Sequence, residues 1–134
     1  MKNILDFNWK TLCEVGILLS NYSNKEQYER SAISRFYYAC YNLSKDYYEN
    51  THHTLLSSFG LLSTHQILIN KLEDSAYDEE RELGGYLRIL RDYRNNADYD
   101  KKFHNKNLHT SKKVSKEIIQ LLDKLYNNPV VPKF

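Results

Sequence analysis

Residues 91–100 place charged, amide and phenol side chains at spacings that suit one helix face. Arg94 and Asp98 are four residues apart, and so are Asn95 and Tyr99. Side chains at this spacing meet on a helix surface. Leucines at helical spacing precede the segment, so an apolar stripe runs into a polar cluster. We interpret the cluster as a functional site, and the alternative is a solvated helix end with intrahelical ion pairs.

Positive charge is concentrated around this cluster. Residues 88–116 contain nine basic and three acidic side chains, a local net charge of +6 in a chain whose formal net charge is +2. Such a patch suits a polyanion, including RNA, and the alternative is a solvated basic loop. Four cations are candidate RNA-binding residues: Arg35, Arg91, Lys101 and Lys102.

A second informative segment is residues 34–41, Ser-Arg-Phe-Tyr-Tyr-Ala-Cys-Tyr. Its small and aromatic side chains allow close helix packing. Arg35 is charged beside this apolar stretch, and a charge in such surroundings needs a partner or a ligand. Asp98 is one candidate partner, so a structural bridge between Arg35 and Asp98 is a second interpretation of both residues.

Long helices are predicted to position the two segments, and no stretch alternates in the manner of a β-strand. The first helix is predicted over about residues 4–21. The second opens at a capping box formed by Asn24 and Gln27 and ends near Asn50. A loop is predicted over residues 51–58.

Three further helices are predicted in the second half of the chain. Ser63 caps a short third helix. Residues 78–80, Asp-Glu-Glu, place negative charge at the start of the fourth helix, where the helix dipole favours it. A basic loop is predicted over residues 100–110, and the fifth helix runs from Ser111 to a stop at residues 127–129, Asn-Asn-Pro.

These elements predict an all-α protein, an antiparallel bundle of four to five helices. The length suits one domain over residues 1–134, with a core of about residues 5–126 and a tail at 128–134. The N-terminus does not resemble a signal peptide, and no apolar run approaches the length of a membrane span. We therefore expect a cytoplasmic protein in which Cys13 and Cys40 are buried, reduced thiols.

Familiar cofactor and metal motifs do not occur in the sequence. It contains no GxGxxG or phosphate-binding loop, no CxxC pair and no HExxH. The adjacent His52 and His53 are poorly spaced for joint metal ligation on a helix. Neither a cofactor nor a metal is therefore expected.

The two segments, in this order and separation, resemble the HEPN family of small helical proteins, most closely its short stand-alone members. Residues 34–39 are similar to a stretch of the family's second helix, and residues 94–100 are similar to its Arg-x-x-Ala-Asp-Tyr element. His52 or His53, before an apolar run, resembles a loop histidine of the family. The resemblance covers about residues 5–126.

The resemblance implies a helical bundle that often forms a homodimer. Many HEPN proteins are metal-independent endoribonucleases that serve as toxins beside a nucleotidyltransferase or other antitoxin, or in antiviral defence. Their active motif is an arginine, a polar residue and then a histidine about four to six residues, or one to two helical turns, beyond the arginine, with two copies facing each other across the dimer. Carried onto this sequence, the motif gives Arg94, Asn95, Asp98 and Tyr99 as candidate catalytic residues.

The chain departs from the motif at Tyr99, which stands where the histidine is expected. Tyrosine has a pKa near 10, which makes it a poor general base at neutral pH. The candidates for a substitute imidazole are His52, His53 and His104.

Three functions follow from these observations. The first is a HEPN toxin or defence effector that cuts RNA. The second is a non-catalytic HEPN module that binds RNA, a nucleotide or a partner such as a nucleotidyltransferase. In both, Arg94 is expected to line an open groove that an anion can reach. The third is a purely structural bundle, in which the same polar residues brace two helices.

Overall fold

The computed structural model describes residues 8–57 and 60–130. Within these two ranges the chain forms five packed α-helices and no β-strand, which confirms the all-α prediction. The helix bounds are α1 Trp9–Tyr22, α2 Glu26–His52, α3 Thr64–Glu73, α4 Asp78–Tyr99 and α5 Lys106–Asn127.

Helix α2 lies at the centre of the bundle and packs against α1, α4 and α5, whereas α3 packs mainly on α4. Ala32, Phe36 and Ala39 are buried on one side of α2, and Tyr37 is buried on an adjacent side. Small residues between large aromatic ones let three helices approach α2 together. The 27-residue helix therefore carries much of the core and holds the second of the two segments at its middle.

The start of α2 differs from the prediction. Its N-cap is Lys25, which makes no side-chain capping bond, so the capping box at Asn24 and Gln27 is wrong. The nearby side chain that does bond the backbone is Ser23, whose Oγ accepts from the Lys25 N–H at 3.1 Å. The helix also continues into the predicted loop as far as His52, and His53 ends it in the left-handed region at φ 50°.

The remaining helix ends divide into confirmed and corrected predictions. Ser63 caps α3, since its Oγ accepts from the Gln66 N–H at 3.2 Å, and α4 starts at Asp78 as predicted. Helix α5 begins at Lys106, five residues before the predicted Ser111, because Leu108 extends its apolar face toward the core. The basic loop is therefore confined to residues 100–105.

Two side chains fix the path of that loop. The Arg30 guanidinium on α2 donates to the carbonyls of Ala97 at 2.9 Å, Asp100 at 2.7 Å and Lys101 at 3.0 Å. The Asn96 amide donates to the Lys102 carbonyl at 3.0 Å. The Ala97 carbonyl, one of the last in α4 that no helical N–H can reach, is thus bonded by an arginine from another helix.

Three other predictions concern the ends of the chain, the cysteines and the membrane. Ile4, at the predicted start of the first helix, and residues 131–134 of the predicted tail lie outside the described residues. Cys13 and Cys40 are buried with free thiols, as predicted. Among the helices that the structure describes, none has the length and apolarity needed to cross a membrane.

Candidate functional site

Arg94 lies among three aromatic rings contributed by two helices. Its guanidinium carbon is 5.5 Å from the ring centroid of Tyr37, 4.9 Å from that of Tyr38 and 5.4 Å from that of Tyr99. Nη2 donates to the Tyr38 hydroxyl, and Nη1 donates to Asn95 Oδ1 at 3.0 Å. The Arg94 side chain is 12% exposed. The sequence predicted that Arg94 lines an open groove. The side chain is more buried than that prediction implies, but part of it is exposed to solvent.

Asp98 forms an ion pair with Arg94 but no directed hydrogen bond. Its Oδ2 lies 3.2 Å from Arg94 Nε, but this N–H is not directed at the oxygen and has no hydrogen-bond partner among the described residues. The same oxygen accepts from Ser34 Oγ at 3.2 Å. Burial disfavours the charged form of Arg94, but the hydrogen bond to Tyr38 and the neighbouring Tyr99 and Asp98 outweigh it and raise the pKa of the guanidinium. Arg94 therefore stays a cation with donors to spare.

His65 is the functional candidate that the sequence reasoning missed. It lies in the first turn of α3, its ring stacks on Tyr41 with centroids 3.8 Å apart, and its Nδ1 is 2.6 Å from the Tyr37 hydroxyl. Burial, followed by the positive charges of Arg94 and Arg91, lowers the pKa of His65 to about 4. The imidazole beside the two arginines is therefore neutral at pH 7, and its Nε2 makes no hydrogen bond within the described residues.

Arg91 is anchored one turn before Arg94. Its Nη1 donates to Gln66 Oε1, and the amide nitrogen of Gln66 donates to Asn70 Oδ1 at 2.7 Å. Gln66 follows His65 in the first turn of α3, so the capped start of this helix faces the basic side of α4. The middle of α2, the start of α3 and the second half of α4 thus meet around two arginines and one imidazole.

We call these residues the Arg94 cluster: Tyr37, Tyr38, His65, Gln66, Arg91, Arg94, Asn95, Asp98 and Tyr99. The structure brings together all four candidate catalytic residues and one candidate RNA-binding residue, Arg91. Among the candidate RNA-binding residues, Lys101 and Lys102 are exposed on the adjoining loop.

Arg35 does not bridge to Asp98, so that prediction is wrong. Asp98 instead contacts Arg94 and Ser34, and Arg35 is exposed. Successive side chains on a helix point about 100° apart. Because Ser34 faces α4, the neighbouring arginine faces solvent, where its charge needs no partner.

The three histidines proposed as substitutes lie elsewhere. His52 Nε2 is 2.7 Å from Glu80 Oε2, and His52 is about 20 Å along α2 from Tyr38. His53 is exposed at the end of α2, and His104 lies in the loop, where its backbone N–H donates to Asn96 Oδ1 at 3.3 Å. The Ser-x-x-Gln cap at residues 63–66 did place His65 in a first helical turn, but the sequence does not reveal which helix that turn faces.

His65 gives the folded protein a pH dependence with a definite sign. Its folded pKa of about 4 lies below the ordinary value of 6.5, so between these values the unfolded chain binds the extra proton. The associated stability is fully present above about pH 6.5 and is lost as the pH falls toward 4. In urea unfolding at pH 7 and 4.5, we expect the wild type to lose more stability than His65→Gln. Parallel losses would contradict the environment described for the imidazole.

The Arg94 cluster has the chemistry of an anion site. Two guanidinium groups supply donors in a geometry that matches phosphate oxygens, and the neutral imidazole and the Tyr38 hydroxyl add polar groups without negative charge. Within residues 8–57 and 60–130, no group of three or more His, Cys, Asp or Glu side chains is placed to hold a metal ion.

Comparison with known protein families finds no matching family, and no curated protein or solved structure matches the chain.

Proposed function

We propose that this protein binds RNA through the Arg94 cluster, as a HEPN-like RNA-acting module. The observation that carries the proposal is the convergence of Arg91 and Arg94 with a neutral His65, where Asp98 is the carboxylate that pairs with Arg94. A phosphate supplies further negative charge and accepts from guanidinium Nη–H groups, whereas the Arg94 Nε–H is buried beside Asp98. The exposed Lys101 and Lys102 lie beside the cluster and suit the phosphates that follow along a strand.

The site favours binding over cleavage. Cleavage without a metal needs a group that takes the proton of the RNA 2′-hydroxyl while an arginine stabilises the charge on the phosphate. His65 is the imidazole beside Arg94, but a base whose pKa is about 4 accepts a proton poorly at pH 7. We therefore rank the non-catalytic module first and a metal-independent endoribonuclease of toxin–antitoxin or antiviral type second.

The test of binding is Arg94→Gln, which removes the charge and keeps most of the side-chain volume. A hydrogen bond to a charged group contributes about 1.5–3 kcal/mol, so we expect the affinity for RNA to fall at least tenfold. The plot of log affinity against log salt should also become shallower by about 0.7 for the lost phosphate contact. Fluorescence anisotropy with a labelled single-stranded RNA measures both quantities.

Arg81→Gln is the matched control. Arg81 is an exposed arginine on the same helix, paired with Asp78, and it lies about 20 Å along α4 from Arg94. Both variants lose one positive charge, so a general electrostatic effect lowers their affinities equally. Equal affinities for the two variants would refute binding at the Arg94 cluster.

The second candidate function, a metal-independent endoribonuclease, is tested by incubating the same proteins with total RNA in the presence of EDTA. New RNA fragments that appear with the wild type and disappear with both Arg94→Gln and His65→Gln would establish the endoribonuclease. Binding without fragments establishes the non-catalytic module.

The partners implied by the resemblance are part of the proposal. A homodimer would cover exposed apolar side chains such as Val15, Ile17 and Leu18 on α1. Helix α1 does not touch α4 within the described residues, so a dimer formed there would not place two Arg94 side chains face to face. A cognate nucleotidyltransferase or antitoxin is the other proposed partner.

A further inference from the structure

Tyr99 combines high exposure with a contact to the Arg94 guanidinium. It is the last residue of α4, it is 71% exposed, and its ring centroid lies 5.4 Å from the Arg94 guanidinium carbon. The guanidinium lies over the ring, and a cation–π contact at an exposed site contributes about 0.5–1 kcal/mol. The contact favours this orientation of the ring beside the proposed phosphate site, while much of the ring remains open to solvent.

The other exposed tyrosines lack this arrangement. Tyr22 packs against Tyr28 with centroids 5.4 Å apart, and Tyr126 lies edge-on to Tyr47 at 5.7 Å. Among the exposed large apolar and aromatic side chains of the described residues, Tyr99 alone lies over a guanidinium. The Arg94 cluster therefore presents an exposed aromatic surface directly beside its positive charges.

We propose that the open face of Tyr99 stacks an unpaired nucleobase while Arg94 binds a phosphate of the same strand, so that the ligand is single-stranded RNA. This proposal rests on the proposed RNA binding and adds the substrate class. A protein can stack an aromatic side chain on bases of a single strand, but not on bases already stacked inside a duplex. Because the contact with Arg94 already favours one orientation of the ring, the side-chain entropy lost on binding is reduced.

The stacking role also accounts for a tyrosine at the position where the resemblance expects a histidine. Stacking uses the flat face of the ring and needs no proton transfer. The hydroxyl is then dispensable and the aromatic ring is essential, which is the opposite of what a general acid or base requires.

The experiment measures, by fluorescence anisotropy, the affinity of the protein for three RNAs of equal length. They are a single strand, a duplex of the same sequence, and an abasic strand that keeps the phosphates. Stacking on an aromatic side chain is worth a factor of about 5 to 150 in affinity per base. We expect the wild type to prefer the single strand by a factor in this range over both other ligands. Tyr99→Phe should keep this preference, and Tyr99→Ala should lose it.

The abasic strand separates stacking from an indirect effect on Arg94. Tyr99→Ala should bind the abasic strand as tightly as the wild type does, because the phosphate contacts remain. Tyr22→Ala, which removes an equally exposed tyrosine elsewhere, should leave all three affinities unchanged.

The other possible outcomes refute either the stacking role of Tyr99 or the proposed RNA binding itself. A Tyr99→Ala variant that prefers the single strand as strongly as the wild type refutes the stacking role. If Tyr99→Ala weakens binding of the abasic strand as much as binding of the single strand, Tyr99 acts only by positioning Arg94, and the proposal is again wrong. If Arg94→Gln loses affinity and Tyr99→Ala does not, only the stacking proposal fails. If neither loses affinity, the proposed RNA binding at this cluster fails as well.

Discussion

Replacing Glu80 with alanine is expected to lower the free energy of unfolding by about 1–3 kcal/mol, the usual cost of leaving a buried polar group without its hydrogen-bond partner. Glu80 is 0% exposed. Its Oε2 accepts from the Tyr47 hydroxyl at 2.6 Å and lies 2.7 Å from His52 Nε2, and its Oε1 accepts from Ser75 Oγ at 2.7 Å. Alanine would leave the buried hydroxyl of Tyr47 without its acceptor.

Urea unfolding at pH 7 measures this loss. Glu80→Gln keeps an oxygen acceptor of the same shape and should lose less stability than Glu80→Ala. Asp92→Ala, which removes an exposed carboxylate from the same helix, should change the stability by less than about 0.5 kcal/mol. A Glu80→Ala protein as stable as Asp92→Ala would show that the buried carboxylate does not tie α2 to α4.

Alanine at the two adjacent glycines of α4 is expected to act in opposite directions. At Gly84 an added Cβ would lie 2.9 Å from the Glu73 backbone nitrogen and 2.9 Å from Leu72 Cβ, so α3 must move away. Overpacking costs about 1–3 kcal/mol, and the better helix propensity of alanine recovers up to about 1 kcal/mol. Gly84→Ala should therefore lower the free energy of unfolding by about 1–2 kcal/mol.

Gly85 provides the control for helix propensity. A Cβ there meets nothing within 4 Å, so Gly85→Ala should raise the free energy of unfolding by about 0.5–1 kcal/mol. Urea unfolding of both variants gives the comparison. Two variants that shift stability in the same direction would contradict the close approach of α3 to Gly84.

The helices were predictable because their apolar spacing is a local property of the sequence. Ala32, Phe36 and Ala39 recur at helical intervals and are buried together, and Ser63 caps the helix that it precedes. Boundaries that depend on tertiary contacts were not predictable. The early start of α5 depends on Leu108 packing against the core. No capping residue near residue 106 indicates this start in the sequence.

The candidate site was predictable only where its residues share one helix. Arg94, Asn95, Asp98 and Tyr99 lie within two turns of α4, so their proximity follows from spacing. His65 joins them from another helix, and no local pattern indicates that α3 turns its first residues toward α4. Glu80 shows the same limit: the sequence identified an acidic helix start, but only the packed structure reveals that this carboxylate is buried against Tyr47 and His52.

The most direct test of the central claim observes the Arg94 guanidinium while RNA binds. In nitrogen–proton NMR spectra of arginine side chains, the Nε–H signal of Arg94 can be assigned by its loss in Arg94→Lys. We expect this signal to shift when a single-stranded RNA oligonucleotide is added, and the titration midpoint should equal the one measured by anisotropy. The Nε–H signal of Arg81 should not shift. An unshifted Arg94 signal in the presence of saturating RNA would contradict the account.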